Sequence, residues 1–204
     1  MLYNKRNLSV ADCCAADDPR FVINAVRFTQ HGTEATDGKL LARVSMPEAQ
    51  AKEFPEVGQA KAQPSEYEFL VDRKACKEIA RTILKSKGYC PHILEHAYLD
   101  AAGSQKNNSV RFLTTDMEIT KEHRIHKVDG IYPHTKGVWP CGIPEARVTL
   151  DPKLLMKVLK AAADFGKTVR LVVFGEDQPI LIKSRADDGQ RFKAIIMPVT
   201  TERQ

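Results

Sequence analysis

A mixed α+β fold assembled from repeated β-α-β-β-β modules is predicted by three observations. A strand–aspartate–helix phrase occurs twice, strand-sized runs follow each helix, and turn residues separate those runs. The phrase is Phe69-Leu70-Val71-Asp72 followed by Arg73-Lys74-Ala75-Cys76-Lys77-Glu78-Ile79-Ala80. It returns as Val148-Thr149-Leu150-Asp151 followed by Pro152-Lys153-Leu154-Leu155-Met156-Lys157-Val158-Leu159. In both, a short strand ends in an aspartate that can cap the helix beginning next to it, and Pro152 suits a first helical position. Apolar residues then recur at helical spacing, Cys76, Ile79, Ala80, Ile83 and Leu84 in one copy and Leu155, Val158, Leu159 and Ala162 in the other. Each helix therefore has one face to bury.

Taken in order, 8–16 reads as a short helix opened by Ser9, with Asp12 as a weak capping-box partner, stopped at Asp17-Asp18-Pro19. Residues 21–29 are β-branched and aromatic and read as a strand; a hairpin follows at His31-Gly32. Asp37-Gly38, between 21–29 and a second strand at 40–44, is a tight-turn pair that tolerates positive φ. From 46 to 65 the apolar period is lost and Pro47, Pro55, Gly58 and Pro64 mark a connector, with one loose helical turn at 48–54. After the middle helix come strands at 93–100, 109–115 and 118–128; after the last helix, 168–174, 179–185 and 190–199. Connections at 103–108 and 187–189 are hairpin-like, and the first 46 residues fit the same plan with a poorly defined opening strand.

Composition narrows the function classes. At 204 residues, 43% apolar and 28% charged, the chain can bury a core and is no disordered tail. No apolar run approaches the roughly 20 residues a membrane-spanning helix needs, and residues 1–6 lead into no signal-like core, so a cytoplasmic location is expected. The five cysteines, Cys13, Cys14, Cys76, Cys90 and Cys141, are odd in number and scattered, as reduced thiols are. No nucleophile–base pair, phosphate-binding glycine loop or paired carboxylate stands out, so catalysis is not expected. Cys90, His92 and His96, and His123 with His126, lack the spacing of structural zinc sites, so neither metal nor cofactor is expected. Asn107-Asn108-Ser109 spells a glycosylation site that a cytoplasmic protein would not use. Net charge is a mild +5, but Arg73, Lys74, Lys77, Arg81, Lys85 and Lys87 crowd one helix and Lys153, Lys157 and Lys160 another. On pattern alone these are solvated helix faces.

Four further blocks occur in a telling order: Asp18-Pro19-Arg20-Phe21-Val22-Ile23-Asn24-Ala25-Val26, Ala35-Thr36-Asp37-Gly38-Lys39-Leu40-Leu41-Ala42, Val128-Asp129-Gly130-Ile131-Tyr132-Pro133 and Ile195-Ile196-Met197-Pro198-Val199. Together with the helices between them they resemble bacterial DNA polymerase III beta sliding clamps over nearly the whole chain. The resemblance implies the DNA-clamp (processivity) fold, with antiparallel sheets outside and helices on one face. It divides the chain into modules at 1–62, 63–143 and 144–204, matching both halves of a clamp's middle domain and the last half of its C-terminal domain. About half a clamp is represented. Lys39-Leu40 replaces the usual His-Arg after the glycine, and Gly137 stands where a basic residue is common.

The resemblance further implies a sliding-clamp-like replication processivity factor, with double-stranded DNA and DNA polymerase or repair proteins as partners. Positions matching the clamp's peptide pocket are Ile23, Thr36, Gly38, Lys39, Leu40, Leu41, Pro133, Val138, Ile196, Met197 and Pro198. Branched apolar walls, an adaptable Met197 and a glycine that admits close backbone approach suit peptide capture. The plain alternative for Ile23, Leu41 and Ile196 is core. DNA-facing positions are Lys74, Lys77, Arg81, Lys85, Lys153, Lys157 and Lys160, which need only neutralise phosphate. A closed clamp uses twelve modules, so rings of this chain would take four copies, and an unpaired half-domain would expose a strand edge unless another chain covers it. A homo-oligomer is expected. The alternative function is a clamp-derived adaptor or competitor that keeps the pocket and does not encircle DNA.

Overall fold

Residues 1–47, 67–84, 92–100, 108–139, 146–186 and 190–199 are described by a computed structural model, in which contacts divide the chain into two units, Met1–Trp139 and Pro140–Gln204. The first unit begins with β1 (Leu2–Asn4) and α1 (Lys5–Ser9), earlier than the helix expected at 8–16. Asn4 is the reason. Its side chain accepts from the Asn7 amide at 3.1 Å while the Asn7 side chain accepts from the Asn4 amide at 3.2 Å, a reciprocal cap. Ser9 does not cap; its hydroxyl donates to the Arg6 carbonyl, and Val10–Cys13 tightens into a 3-10 turn.

The strand expected at 21–29 is shorter. Phe21–Asn24 is a 3-10 turn, because the Ile23 carbonyl accepts from the Ala15 amide and the Asn24 side chain bonds the backbone of Asp18, leaving no ladder there. β2 (Ala25–Thr29), β3 (Gly32–Thr36) and β4 (Leu41–Ser45) follow as hairpins, as the turn residues predict. β5 (Glu68–Asp72) runs into α2 (Arg73–Thr82), and the Asp72 carboxylate accepts from the Lys74 amide at 2.7 Å. A further 3-10 turn, His92–Glu95, precedes β6 (His96–Asp100), then β7 (Ser109–Thr115) and β8 (Thr120–His126). The connector helix turn at 48–54 and the connections at 103–107 and 187–189 lie outside the described residues.

The two halves of this unit complete each other. One sheet runs β1-β6-β7-β8 and the other β4-β3-β2-β5, all antiparallel, so each half's opening strand pairs in the other half's sheet. A core shared by both halves follows. Tyr3, Leu8 and Phe28 from the first half pack with Ile79, Leu99 and Phe112 from the second, and Tyr3 meets Phe28 edge-on at 5.0 Å between ring centroids.

The second unit has one three-stranded antiparallel sheet, β11-β10-β9, built from β9 (Arg170–Val172), β10 (Ile180–Arg185) and β11 (Arg191–Ile196). α3 (Pro152–Ala163) is capped by Asp151, which accepts from the Lys153 amide at 2.7 Å, matching the expected repeat. The strand expected before it is not one among the described residues: 146–150 has no strand neighbour. Its core is small, Ile180, Ile182 and Ile196 with Val148, Leu150, Leu155 and Val158 against them.

Asn7 is fully buried and its amide donates to the Ser45 carbonyl at 2.8 Å, tying α1 to β4. Asn7→Ala strands both Ser45 O and Asn4 N–H, so it lowers stability by about 2 kcal/mol, against little change for exposed Arg6→Ala, as thermal denaturation would measure. Burial pushes the Cys14 thiol up to about 12 and Cys76 well above its ordinary value. Neither should be alkylated by iodoacetamide near neutral pH until the unit unfolds, a difference that mass spectrometry reads peptide by peptide.

Candidate functional site

The Asp37-Gly38 turn between β3 and β4 is held by side chains as well as backbone. Asp37 Oδ1 accepts from the amides of Lys39 at 2.8 Å and Leu40 at 2.9 Å, and those bonds hold its carboxyl below the ordinary carboxylate range. Thr36 Oγ1 accepts from the Gly38 amide at 3.0 Å and donates to the Leu40 carbonyl at 2.5 Å. Gly38 has φ +87°, and a Cβ there would stand 3.1 Å from Arg20 Nη2. Arg20 is itself fixed: its guanidinium donates to Asp18 at 2.9 and 3.0 Å and its amide at 2.8 Å, which holds the Asp18 carboxyl down at about 2. Segment 18–20 thus lies against the turn.

The residues that follow, Phe21 and Val22, meet 128–132. Gly130 has φ +135°, and a Cβ would fall 2.4 Å from Val22 Cγ1, so only glycine lets the chain pass there. Tyr132 packs with Ala25 and Leu70, flanked by Val22 and Val128, and the Arg27 guanidinium lies 5.6 Å from its ring centre. Burial pushes the Tyr132 phenol well above its ordinary value. Segments 18–24, 36–41 and 128–135, distant in sequence, therefore converge within the first unit.

Of the residues matched to a peptide pocket, Gly38, Lys39, Leu40, Pro133 and Val138 are exposed and Leu41 is half-buried on β4, an edge strand. Thr36 and Ile23 are buried, Ile23 as core. Ile196 belongs to the core of the second unit, with Met197 exposed and Pro198 half-buried after it. Trp139, which the pattern reading passed over, is partly exposed beside Val138, and the Arg43 guanidinium of β4 sits 4.9 Å from its ring centre. Its signal was being the sole tryptophan. A separate cleft of about 380 Å³ beside β5, lined by residues including Phe69, Lys127 and Ile131, contains none of the matched positions.

Among the basic helix positions, Lys74, Arg81, Lys153, Lys157 and Lys160 are exposed. Lys77 instead pairs with Asp12 at 2.6 Å, which offsets its charge; Lys85 lies outside the described residues. A second basic surface escaped the sequence reading because its members sit on three strands. Arg170, Lys183 and Lys193 face one another across β9, β10 and β11, and Arg185 faces Arg191, around an open cleft of about 810 Å³. The corresponding row in the first unit is neutralised, with Glu34 between Arg27 at 3.5 Å and Arg43 at 3.2 Å. Like charges directly opposite oppose pairing, so this row lacks the compensation that Glu34 gives the first unit.

His123 Nε2 lies 3.2 Å from Thr82 Oγ1 and 3.3 Å from Thr114 Oγ1. His123 faces Phe112 and His126 faces Ser109, so strand alternation puts the two imidazoles on opposite faces. Among the described residues no three His, Cys, Asp or Glu gather in a way that could hold a metal ion, and no helix is long and apolar enough to cross a membrane.

No family model and no curated protein sequence matches the chain. Solved structures do. The DNA polymerase III beta subunit of Pseudomonas aeruginosa superposes with a TM-score of 0.65 at 18% identity, over 97% of this chain and 50% of that one. The beta subunit of Streptococcus pyogenes gives 0.67 at 12% identity, over 98% and 50%, and the Bacillus subtilis sliding clamp 0.58 at 15%, over 97% and 48%. This sequence thus spans about half the length of each. The strand-exchanged first unit and the three-stranded second unit together have the fold of the bacterial DNA polymerase III beta sliding clamp, as the sequence resemblance implies.

Proposed function

We propose that this protein is a sliding-clamp-like processivity factor, non-enzymatic, that holds duplex DNA through basic residues without reading its sequence and tethers a polymerase or repair protein through a short peptide. The observation carrying this reading is the convergence of 18–24, 36–41 and 128–135 beside an open edge strand and exposed Leu40, Val138 and Trp139. Such a surface offers apolar anchors, a rigid turn and unpaired backbone groups together, which is what capture of an extended peptide uses. Met197 and Pro198, of the second unit, are proposed contributors tested by their own substitutions. Lys74, Arg81, Lys153, Lys157 and Lys160 are the proposed phosphate contacts, with the Arg170–Lys183–Lys193 row as the competing surface.

Trp139 supplies a built-in reporter, so a tryptophan-free Gln-x-x-Leu-Phe-type peptide should change its fluorescence on titration. Leu41→Asp or Val138→Asp should weaken binding at least tenfold, and Met197→Ala measures the part of the second unit. A peptide that fails to bind, or that binds these variants as tightly, removes the pocket reading. For DNA, replacing Lys153, Lys157 and Lys160 by Glu should lower retention on closed circular duplex and flatten the salt dependence by about 0.9 log units per lost phosphate contact. If only the Arg170, Lys183 and Lys193 replacements do so, DNA lies on the sheet face. If neither set matters while peptide still binds, the protein is a clamp-derived adaptor or competitor.

A further inference from the structure

The first unit contains an internal control for the second. In it, the residue that caps each helix faces the first residue of the other half's post-helix strand: Asn4 faces His96, and Asp72 faces Ala25. The lent strand β5 is also held from its own side, the Leu70 carbonyl accepting from the Val128 amide at 2.9 Å. The second unit repeats the holding bond, with the Thr149 carbonyl accepting from the Val199 amide at 2.8 Å. Leu70 and Thr149 each lie two residues before the capping aspartate, so 146–150 is posed as β5 is. Backbone groups alternate in direction along a strand, so Val148 and Leu150 direct theirs the opposite way, toward the side where β5 meets β2. Among the described residues no strand occupies that side, and the outer edge of β9 is equally unpaired.

Burial tells the same story at matched positions. Val26 and Phe28 on β2 and Ala97 and Leu99 on β6 are 0% exposed, whereas their counterparts Leu171 and Val173 are 53% and 44% exposed. Leu171 faces buried Ile182 across the ladder, so its side chain stands on the core side of the sheet and is nonetheless uncovered. On the helices, Cys76, Ile79, Ala80 and Ile83 are buried, but of the equivalent Leu155, Val158, Leu159 and Ala162 only Ala162 is. Lys77 reaches Asp12 of the other half; its counterpart in α3 is exposed Met156. Among the described residues, nine of the seventeen exposed large apolar side chains belong to the second unit, although it is the smaller one.

We propose that the second unit is half of a symmetric pair formed with a second copy of this chain, residues 146–150 of each copy adding to the open edge of β9 in the other. The vacant edge and the unlent strand are present in one half-module, so a two-fold axis fills both at once and the contact closes. The register follows from the first unit: Asp151 faces Arg170 of the second copy, Leu150 faces Leu171, and Thr149 faces Val172. The first of these sets opposite charges against each other, twice per dimer. Leu154, Met156, Leu171 and Val173 supply apolar surface toward the roughly 800 Å² per partner that stable interfaces bury. This pairing is independent of the DNA and peptide readings.

Sedimentation of the full chain should give a species of twice the 22.9 kDa protomer mass. Leu171→Pro with Val173→Pro removes two outward amides from an edge strand, which tolerates proline, and should raise the dimer dissociation constant at least tenfold with the circular dichroism spectrum unchanged. Because that variant could also loosen the sheet, Thr149→Cys with Val172→Cys provides a second reading. These residues face each other as a pair that exchanges no backbone hydrogen bonds, where Cα atoms lie close enough for a disulfide. Oxidation should yield covalent dimers from the double variant and not from either single one. A monomer at all concentrations, a dimer indifferent to the prolines, or no covalent dimer from the double variant overturns the proposal.

Discussion

The structure of the first unit depends on one exchange: β1 pairs with β6 and β5 pairs with β2, so neither half's sheet or core is complete without a strand lent by the other. Everything at the candidate site follows from it. With β5 beside β2, the bond from Val128 to Leu70 brings the exit segment alongside, Tyr132 drops between Ala25 and Leu70, and Gly130 passes Val22. The 20–22 segment then lies between that exit and the Asp37-Gly38 turn. No residue of the site holds its place by local preference alone; the turn is local, but its neighbours arrive through pairing across about forty positions or more.

Outward charge is managed differently in the two units. On the first unit's sheets, arginines alternate with acids: Arg27, Glu34 and Arg43 form one row, and Arg111 pairs with Asp100 in the other sheet. Such rows support strand pairing and hold the sheet without any ligand. The third sheet presents Arg170, Lys183 and Lys193 with no acid between them. Its strands are joined against charge repulsion as well as over a small core, so its ladder lacks the ion pairs that support the first unit's sheets.

Local chemistry was legible in the sequence and long-range pairing was not. Asp72 and Asp151 read as caps because an acceptor beside a helix start has one natural use, and both accept from the amide two residues on. The Asp37-Gly38 turn was equally plain. Phe21-Val22-Ile23-Asn24 misled because β-branched and aromatic residues report burial, not extension, and here the Ile23 carbonyl is taken by Ala15. Asn4 was overlooked as a cap because its partner is another asparagine and not an acid. The Arg170–Lys183–Lys193 row and the Arg43–Trp139 stack join different strands or a strand and a loop, so no window of sequence contains them.

The two proposed activities differ in what they demand of this chain. Peptide capture is local: an edge strand, a rigid turn and a few apolar anchors suffice, and these lie in the unit whose halves already complete each other. Lasting retention on DNA is topological. Five lysine and arginine contacts to phosphate would give an affinity that salt erodes steeply, and only a closed path around the duplex turns such a weak hold into long residence. Under the proposed processivity reading, closure would require the second unit's bare edge, with its uncovered Leu171 and Val173, to be covered. A tether of that kind would need every such edge covered, whereas the proposed peptide surface needs none of it.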